Sequence, residues 1–216
     1  MIGRGHFHAV RFYENEASLC RIVANYLREG LAAGQPALVI ATNPHAFGIV
    51  CELRARGLSV DGLIESRDLV IVDAEEALAS FMVDGLPDRE KFDRTVMAAL
   101  ELVRDGRSGI TVRAYSEMVD VLCKQGLDVA AIQLEALWNR LARSGEFSLM
   151  CGYAMGNFYK DATVNGPFGF GSAGGSVTGA GIGSVGGVGG GSGAGGSSGT
   201  STSKQILPDA VVRAQS

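Results

Sequence analysis

The sequence predicts an α/β domain in which a mainly parallel sheet is covered by helices on both faces, followed by a disordered glycine-rich tail. Short apolar runs alternate with amphipathic stretches of helical length before Gly166, and from there to Ser203 glycine is about every second residue. Such a tail buries too little apolar area to offset the entropy of ordering it. We therefore expect one domain over residues 6–162, a flexible linker over 163–203 and a disordered peptide over 204–216.

The strands are predicted from short apolar runs that lie between turn residues. The run from Ala37 to Ala41 is apolar at every position, which is typical of a strand buried on both of its faces. Because helix-length segments separate these runs, the strands are expected to lie parallel. The predicted strands cover residues 9–13, 37–41, 69–72, 110–115 and 147–153.

The helices are predicted from apolar residues that recur three or four positions apart. The positions concerned are 19, 23, 27 and 31; 47, 50 and 53; 78 and 81; 92, 96, 100 and 103; and 134, 137, 138 and 141. Asp84, Gly85 and Pro87 are expected to end one helix and start the next. The predicted helix caps are Asn43, followed by Pro44 in the first turn, and Asp73, Ser116 and Asp128.

Composition and charge disfavour several classes of partner. The formal net charge is −4, so the chain has no electrostatic reason to bind nucleic acid or an anionic membrane surface. We find neither a secretory signal nor an apolar stretch of about 20 residues that would span a membrane. The cysteines Cys20, Cys51, Cys123 and Cys151 show no C-x-x-C spacing, so reduced thiols and a cytoplasmic location are expected.

Ligands of parallel α/β sheets usually bind beyond the carboxyl ends of the strands. Arg113 lies inside a predicted central strand, where a charge needs a partner, and Glu117 is a plausible one. The pair would be either a structural ion pair or part of a pocket. The candidate ligand-binding residues are Tyr13, Glu14, Asn43, His45, Arg113, Tyr115 and Glu117. Among the aromatic residues, Phe12 and Trp138 are expected in the core.

No residues indicate catalysis, a metal or a cofactor. The first strand-to-helix turn, Tyr13-Glu14-Asn15-Glu16-Ala17, contains neither the glycines nor the lysine that hold a phosphate. Its carboxylates would repel a triphosphate, although Glu14 also suits a polar or cationic ligand. Ser116 lacks the glycines of a nucleophile elbow. His6 and His8 would share one face of a strand, but no third metal ligand lies near them in the sequence.

Several stretches also match a known family in order. They are His8-Ala9-Val10-Arg11-Phe12-Tyr13-Glu14, Ile40-Ala41-Thr42, Phe81-Met82-Val83-Asp84-Gly85, Val112-Arg113-Ala114-Tyr115-Ser116-Glu117-Met118-Val119, Leu134-Glu135-Ala136-Leu137-Trp138-Asn139 and Phe147-Ser148-Leu149-Met150-Cys151. Across nearly the whole predicted domain the chain resembles the MEDS domain, the methanogen/methylotroph DcmR sensory domain.

The resemblance implies a three-layer fold related to the RecA/KaiC-like ATPases, with a degenerate phosphate loop. It also implies a non-catalytic sensor of a small molecule, hydrocarbon-derived or otherwise, that regulates a histidine kinase or a transcriptional regulator. This chain shows no attached kinase or DNA-binding domain, so its output would pass to a separate protein. Two alternatives stay open: a ligand-free docking module that works through protein surfaces, and a residual nucleotide-binding enzyme.

Overall fold

The computed structural model describes residues 8–144 and 147–155, and the structural statements below concern those residues. The predicted linker and C-terminal peptide lie outside them, as does His6. In chain order the elements are β1 (His8–Tyr13), α1 (Glu16–Ala32), β2 (Ala37–Ala41), α2 (Asn43–Ala55), α3 (Val60–Glu65), β3 (Leu69–Asp73), α4 (Ala74–Phe81), β4 (Met82–Val83), β5 (Leu86–Pro87), α5 (Arg89–Arg104), β6 (Val112–Ser116), α6 (Met118–Lys124), α7 (Asp128–Ser144) and β7 (Phe147–Ala154).

Five strands form one parallel sheet in the order β1-β7-β6-β2-β3. All five predicted strands are present, although β6 begins at Val112 instead of residue 110. The mainly parallel sheet expected from the sequence is therefore confirmed.

Helices cover both faces of this sheet, so the three-layer arrangement is confirmed as well. The helices α1, α2 and α3 pack on one face, and α4, α5, α6 and α7 pack on the other. Each face has its own core: the first core lies under α1–α3 and the second under α4–α7. Along β2, Val39 belongs to the first core, whereas Leu38 and Ile40 belong to the second. This strand is apolar throughout because successive side chains point to opposite faces and both faces are covered.

A row of aromatic rings fills the second core. Phe81, Phe92, Trp138 and Phe147 meet edge to face, with ring centroids 5.4, 5.1 and 6.4 Å apart along the row. Each such pair contributes about 0.5–1.5 kcal/mol beyond its burial. Trp138 is fully buried, as expected, but the expectation for Phe12 is wrong: it lies on the edge strand β1 and is 53% exposed.

Two short elements were not predicted. Helix α4 already ends at Phe81, and Asp84 and Gly85 instead form the turn of a two-stranded hairpin, β4–β5, before α5 begins. Both residues have positive φ, 50° and 79°, as tight hairpin turns require. The other unpredicted element is α3, which is too short to show a helical apolar pattern.

The predicted helix caps are partly confirmed. The Asp73 side chain accepts the N–H groups of Glu75 and Glu76 and so caps α4. Helix α6 begins at Met118 with Glu117 at the cap position, while the Ser116 hydroxyl lies one residue earlier and accepts the Met118 N–H at 3.4 Å.

Gly152 in β7 allows a close approach by Tyr115, the largest side chain of β6. A Cβ at position 152 would lie 2.7 Å from the Tyr115 hydroxyl oxygen and 3.2 Å from Leu19 Cδ1. Since Tyr115 is fully buried, its ring has no free space into which to retreat. A side chain at position 152 would therefore displace the Tyr115 hydroxyl.

We predict that Gly152→Ala lowers the free energy of unfolding by about 1–3 kcal/mol, the usual cost of overpacking a core. Gly62→Ala is the matched control: its Cβ would meet only the Ser59 side chain, with the rotatable hydroxyl at 3.2 Å and Cβ at 3.8 Å. Because glycine disfavours helix, the control should be neutral or more stable by up to about 1 kcal/mol. Urea unfolding of both variants checks this, and equal stability of Gly152→Ala and the parent would contradict it.

Candidate functional site

The candidate site lies at the carboxyl end of β2, between β2 and β6. Helix α2 leaves β2 towards one face of the sheet, whereas α6 leaves the adjacent β6 towards the other. When the helices after two neighbouring strands leave towards opposite faces, a crevice remains beyond the strand ends, and this is the usual ligand position in α/β sheets. In this chain buried polar side chains occupy the crevice.

Glu117 fills the centre of the crevice with a carboxylate that is 1% exposed. Its Oε1 accepts the Thr42 N–H at 2.5 Å, and its Oε2 lies 2.6 Å from His45 Nδ1. The Tyr115 hydroxyl donates to the same Oε2 at 3.2 Å. Thr42 is the N-cap of α2, so the carboxylate sits where a helix N-terminus would otherwise bind an anion.

The contact between His45 and Glu117 raises the pKa of His45 and lowers the pKa of Glu117, as expected of an ion pair. For His45, the hydrogen bond to Glu117 outweighs burial and raises its pKa above the usual 6.5. For Glu117, burial alone would raise the pKa, but the His45 hydrogen bond and charge and the Thr42 N–H together lower it below the usual 4.5. Both shifts favour imidazolium and carboxylate in the folded chain.

A second buried carboxylate, Asp120, lies one turn further along α6. Its Oδ2 accepts the Tyr13 hydroxyl at 2.8 Å and the Lys124 ammonium at 2.9 Å, and its Oδ1 accepts the Ala154 N–H at 2.8 Å. Burial, followed by the charge of Asp120 and the hydrogen bond to it, raises the pKa of Tyr13. Asp120 thereby joins the ends of β1 and β7 to α6.

The two carboxylate clusters meet through aromatic rings. Tyr13 and His45 contact edge to face, with centroids 6.1 Å apart and an interplanar angle of 89°. We use the term "Glu117 network" below for Tyr13, His45, Tyr115, Glu117 and Asp120. Its members come from β1, α2, β6 and α6, so it holds both diverging helices of the crevice against the strand ends.

The structure brings together four of the predicted site residues: Tyr13, His45, Tyr115 and Glu117. Asn43 lies beside them, although its predicted role as an N-cap is wrong. The helix already begins at Asn43, and its side-chain amide donates to Asp73 Oδ2 at 3.0 Å.

Glu14 and Arg113 lie apart from the Glu117 network. Glu14 is exposed in the turn after β1 and takes no part in the hydrogen bonds described above. The expected pairing of Arg113 with Glu117 is wrong, because four residues of extended chain place these side chains roughly 13 Å apart along the strand. Arg113 instead donates to Gln35 at 2.7 Å and covers the Tyr26 ring at 4.8 Å, beside Gly30 at the other end of the sheet.

Sequence reasoning missed Asp120 and Lys124. The indication in the sequence was a single carboxylate inside the apolar run Met118-Val119-Asp120-Val121-Leu122. A charged residue surrounded by apolar ones in a short helix is expected to be buried and paired.

An apolar cavity lies on the opposite face of the sheet from α2. It has room for about 80 Å³ and lies between β2, β3, α4, α5 and the start of α6. Met118, which directly follows Glu117, forms part of its wall. The cavity is lined by Ile40, Val72, Ala77, Thr95, Val96, Ala98, Ala99, Leu102 and Met118.

The fold and the site define an α/β domain whose crevice is filled by its own carboxylate. A family model described as the MEthanogen/methylotroph, DcmR Sensory domain (MEDS) matches residues 7–165. This chain therefore belongs to the MEDS family, and the family resemblance expected from the motifs is confirmed. Searches of curated proteins and of solved structures returned no significant match. Within residues 8–144 and 147–155, no helix has the length and apolarity needed to cross a bilayer.

The ion pair predicts a pH window for stability. The His45 contribution is complete below pH 6.5 and is lost as pH rises through its raised folded pKa. The Glu117 contribution is complete above pH 4.5 and is lost as pH falls through its lowered folded pKa. Glu117→Gln should therefore cost most between pH 4.5 and 6.5, on the order of 3 kcal/mol.

Urea unfolding of Glu117→Gln across this pH range measures that loss. Asp61→Asn is the matched control, since its partner Arg54 lies 2.9 Å away and the side chains of Arg54 and Asp61 are 38% and 67% exposed. A surface pair of that kind contributes about 0–1 kcal/mol. A destabilisation by Glu117→Gln that stays constant from pH 4.5 to 8 would contradict the ion pair.

Proposed function

We propose that this chain is a non-catalytic signal-sensing domain that binds a small apolar molecule and regulates a separate signalling protein, a histidine kinase or a transcriptional regulator. Membership of a family described as a sensory domain supports the sensing role. The main observation for the ligand site is the apolar cavity. Met118, at the start of α6, lines the cavity and directly follows Glu117 of the network.

The size and lining of the cavity support an apolar ligand of few atoms. Thr95 supplies the single polar side chain among its lining residues, and Ala98 among them is exposed to solvent. A dry apolar cavity of about 150 Å³ holds benzene. The cavity here is about 80 Å³, so it suits a smaller molecule, such as a short hydrocarbon or a derivative of one.

The connection between the cavity and the network supports a route for the signal. Filling the cavity pushes on Met118, the first residue of α6, and Glu117 and Asp120 lie on either side of it. Any movement of α6 changes the distances from these carboxylates to His45 and Tyr13. In this proposal the Glu117 network is the element that responds, and its two states differ in how α6 is held against α2 and β1.

The occupied crevice supports the absence of nucleotide chemistry. Glu117 fills the anion position at the start of α2, and the first strand turn carries Glu14 and Glu16 in place of phosphate-binding glycines. In this proposal the chain is a relative of the RecA/KaiC-like ATPases with a degenerate phosphate loop. Its cytoplasmic location remains a prediction from composition.

A docking module without a ligand is the second candidate. Val129 and Ile132, on the first turns of α7, are 64% and 71% exposed. The β4–β5 hairpin packs against α7 and exposes Val83 and Leu86 as well. Single exposed apolar residues are common, but neighbouring ones favour a protein partner. A variant that fills the cavity distinguishes the two candidate functions. A docking module without a ligand would still bind and regulate its partner in that variant.

We predict that propane, but not benzene, shifts the Met118 methyl and His45 ring resonances of the full chain in a saturable manner. Propane fits the cavity and benzene exceeds it. Ala99→Leu, which fills the cavity with a larger side chain, should abolish both shifts. Ala136→Leu is the matched control, because Ala136 is an exposed residue of α7 and the substitution should leave both shifts intact.

Shifts of Met118 alone, with His45 unchanged, would contradict the proposed signal route while leaving the cavity as a binding site. Equal shifts in Ala99→Leu and the parent would contradict the cavity itself.

Saturating Mg-ATP should leave the melting temperature of the chain unchanged. A bound nucleotide at 100 times its Kd would add roughly 2.7 kcal/mol and raise the melting temperature by several degrees. Differential scanning fluorimetry with and without Mg-ATP tests this. A concentration-dependent rise would favour the residual nucleotide-binding enzyme.

A further inference from the structure

Three side chains with metal-binding atoms converge on the face of the sheet covered by α7, away from the Glu117 network. His8 lies at the start of β1, Cys151 in β7 and Glu135 in α7. Their ligand atoms all lie within 4.8 Å of one another. His8 Nε2 is 3.2 Å from Cys151 Sγ and 3.4 Å from Glu135 Oε1.

The fold produces this convergence from residues that are far apart in sequence. In the parallel pair of β1 and β7, His8 lies opposite Leu149, two residues before Cys151. Residues two apart on a strand point to the same face, so His8 and Cys151 are diagonal neighbours beneath α7. Cys151 is 1% exposed, and the side chains of His8 and Glu135 are 8% and 25% exposed, so the cluster is mostly buried and reaches solvent at Glu135.

Outer partners orient two of the three side chains. The Asn139 side-chain oxygen lies 2.8 Å from His8 Nδ1 and accepts the Nδ1 proton when Nε2 binds a metal. The Tyr153 hydroxyl donates to Glu135 Oε2 at 2.7 Å, which leaves Oε1 facing His8. A second hydrogen bond that fixes each ligand is the usual arrangement around protein-bound metals.

We propose that His8, Glu135 and Cys151 form a binding site for a divalent transition metal, with Zn²⁺ as the best match. Imidazole nitrogen, carboxylate oxygen and thiolate sulfur are the three ligand types that zinc takes from proteins. Tetrahedral bonds of about 2.0–2.3 Å place ligand atoms roughly 3.3–3.6 Å apart. The two distances from His8 Nε2, 3.2 Å to Cys151 Sγ and 3.4 Å to Glu135 Oε1, are close to these values, and the Cys151 and Glu135 ligand atoms lie within 4.8 Å of each other.

Three protein ligands leave one tetrahedral position for water or an exogenous ligand. The thiol proton is released when the metal binds, since thiolate is the ligand form. The sequence predicted no metal site, because its neighbouring histidines showed no third ligand. The other two ligands, Glu135 and Cys151, are far from His8 in sequence, and only the packing of α7 and β7 brings them near it.

Cobalt titration of the full chain, first freed of metal with a chelator, tests the site. One equivalent of Co²⁺ should produce the visible bands of tetrahedral cobalt together with thiolate-to-cobalt charge-transfer absorption, and Zn²⁺ should displace it. Cys151→Ser should lose the charge-transfer absorption. Cys51→Ser, which removes an exposed thiol, and Cys20→Ser, which removes another buried thiol, should retain it.

Variants of the outer partners keep the test decisive if Cys151→Ser fails to fold. Asn139→Ala and Tyr153→Phe leave all three ligands in place and should weaken cobalt binding by roughly 10–100-fold, with circular dichroism unchanged. The proposal is overturned if the parent chain shows no charge-transfer absorption. It is equally overturned if that absorption is lost in Cys51→Ser or Cys20→Ser, or if folded Asn139→Ala and Tyr153→Phe bind as tightly as the parent.

Discussion

The carboxylate of Glu117 is the constraint on which the arrangement of this domain depends. It is buried between two helices that diverge from adjacent strands, and a buried charge is tolerated only when it is paired and hydrogen-bonded. His45, the Thr42 N–H and Tyr115 meet that requirement. Each partner brings a requirement of its own: His45 needs α2 to start at the end of β2, and Tyr115 needs the space that Gly152 leaves. One ionised group thus ties together β2, β6, β7, α2 and α6.

The same group determines what occupies the crevice. In many parallel α/β domains the crevice between two diverging helices binds an anion or a nucleotide at a helix N-terminus. Here the chain supplies that anion itself, and the open space lies on the other face of the sheet, between α4, α5 and α6. Because α6 borders both the cavity and the crevice, the domain has one element that contacts the cavity on one side and the Glu117 network on the other. A short helix with two buried carboxylates is well suited to respond to small displacements, since hydrogen bonds weaken steeply as their geometry is lost.

Local patterns in the sequence predicted most of the fold and part of the site. The continuous apolar run of β2 predicted a strand buried on both faces, and Asp73 was correctly predicted as a helix cap. The carboxyl end of each strand was placed to within one residue, which brought Tyr13, His45, Tyr115 and Glu117 to the same end of the sheet. The predictions that were wrong or missing concerned which side chains lie close together in the folded chain. Arg113 and Glu117 are near in sequence but lie at opposite ends of β6, and His8, Glu135 and Cys151 meet only through the register of β1 with β7 and the packing of α7 on β7. Phe12 was expected in the core because its type is apolar, yet strand order places β1 at the edge, and sequence pattern does not specify strand order.

The protonation state of His45 tests this account most directly, because the network holds the crevice closed only as an ion pair. Nitrogen NMR of the histidine side chains of the full chain at pH 6.5 distinguishes imidazolium from neutral imidazole. A free histidine is half protonated at that pH, and the raised pKa of His45 predicts that it is mostly imidazolium. Its signals should revert towards the neutral ring in Glu117→Gln. A His45 that is half protonated or less at pH 6.5 in the parent chain would contradict the ion pair and the closed crevice that depends on it.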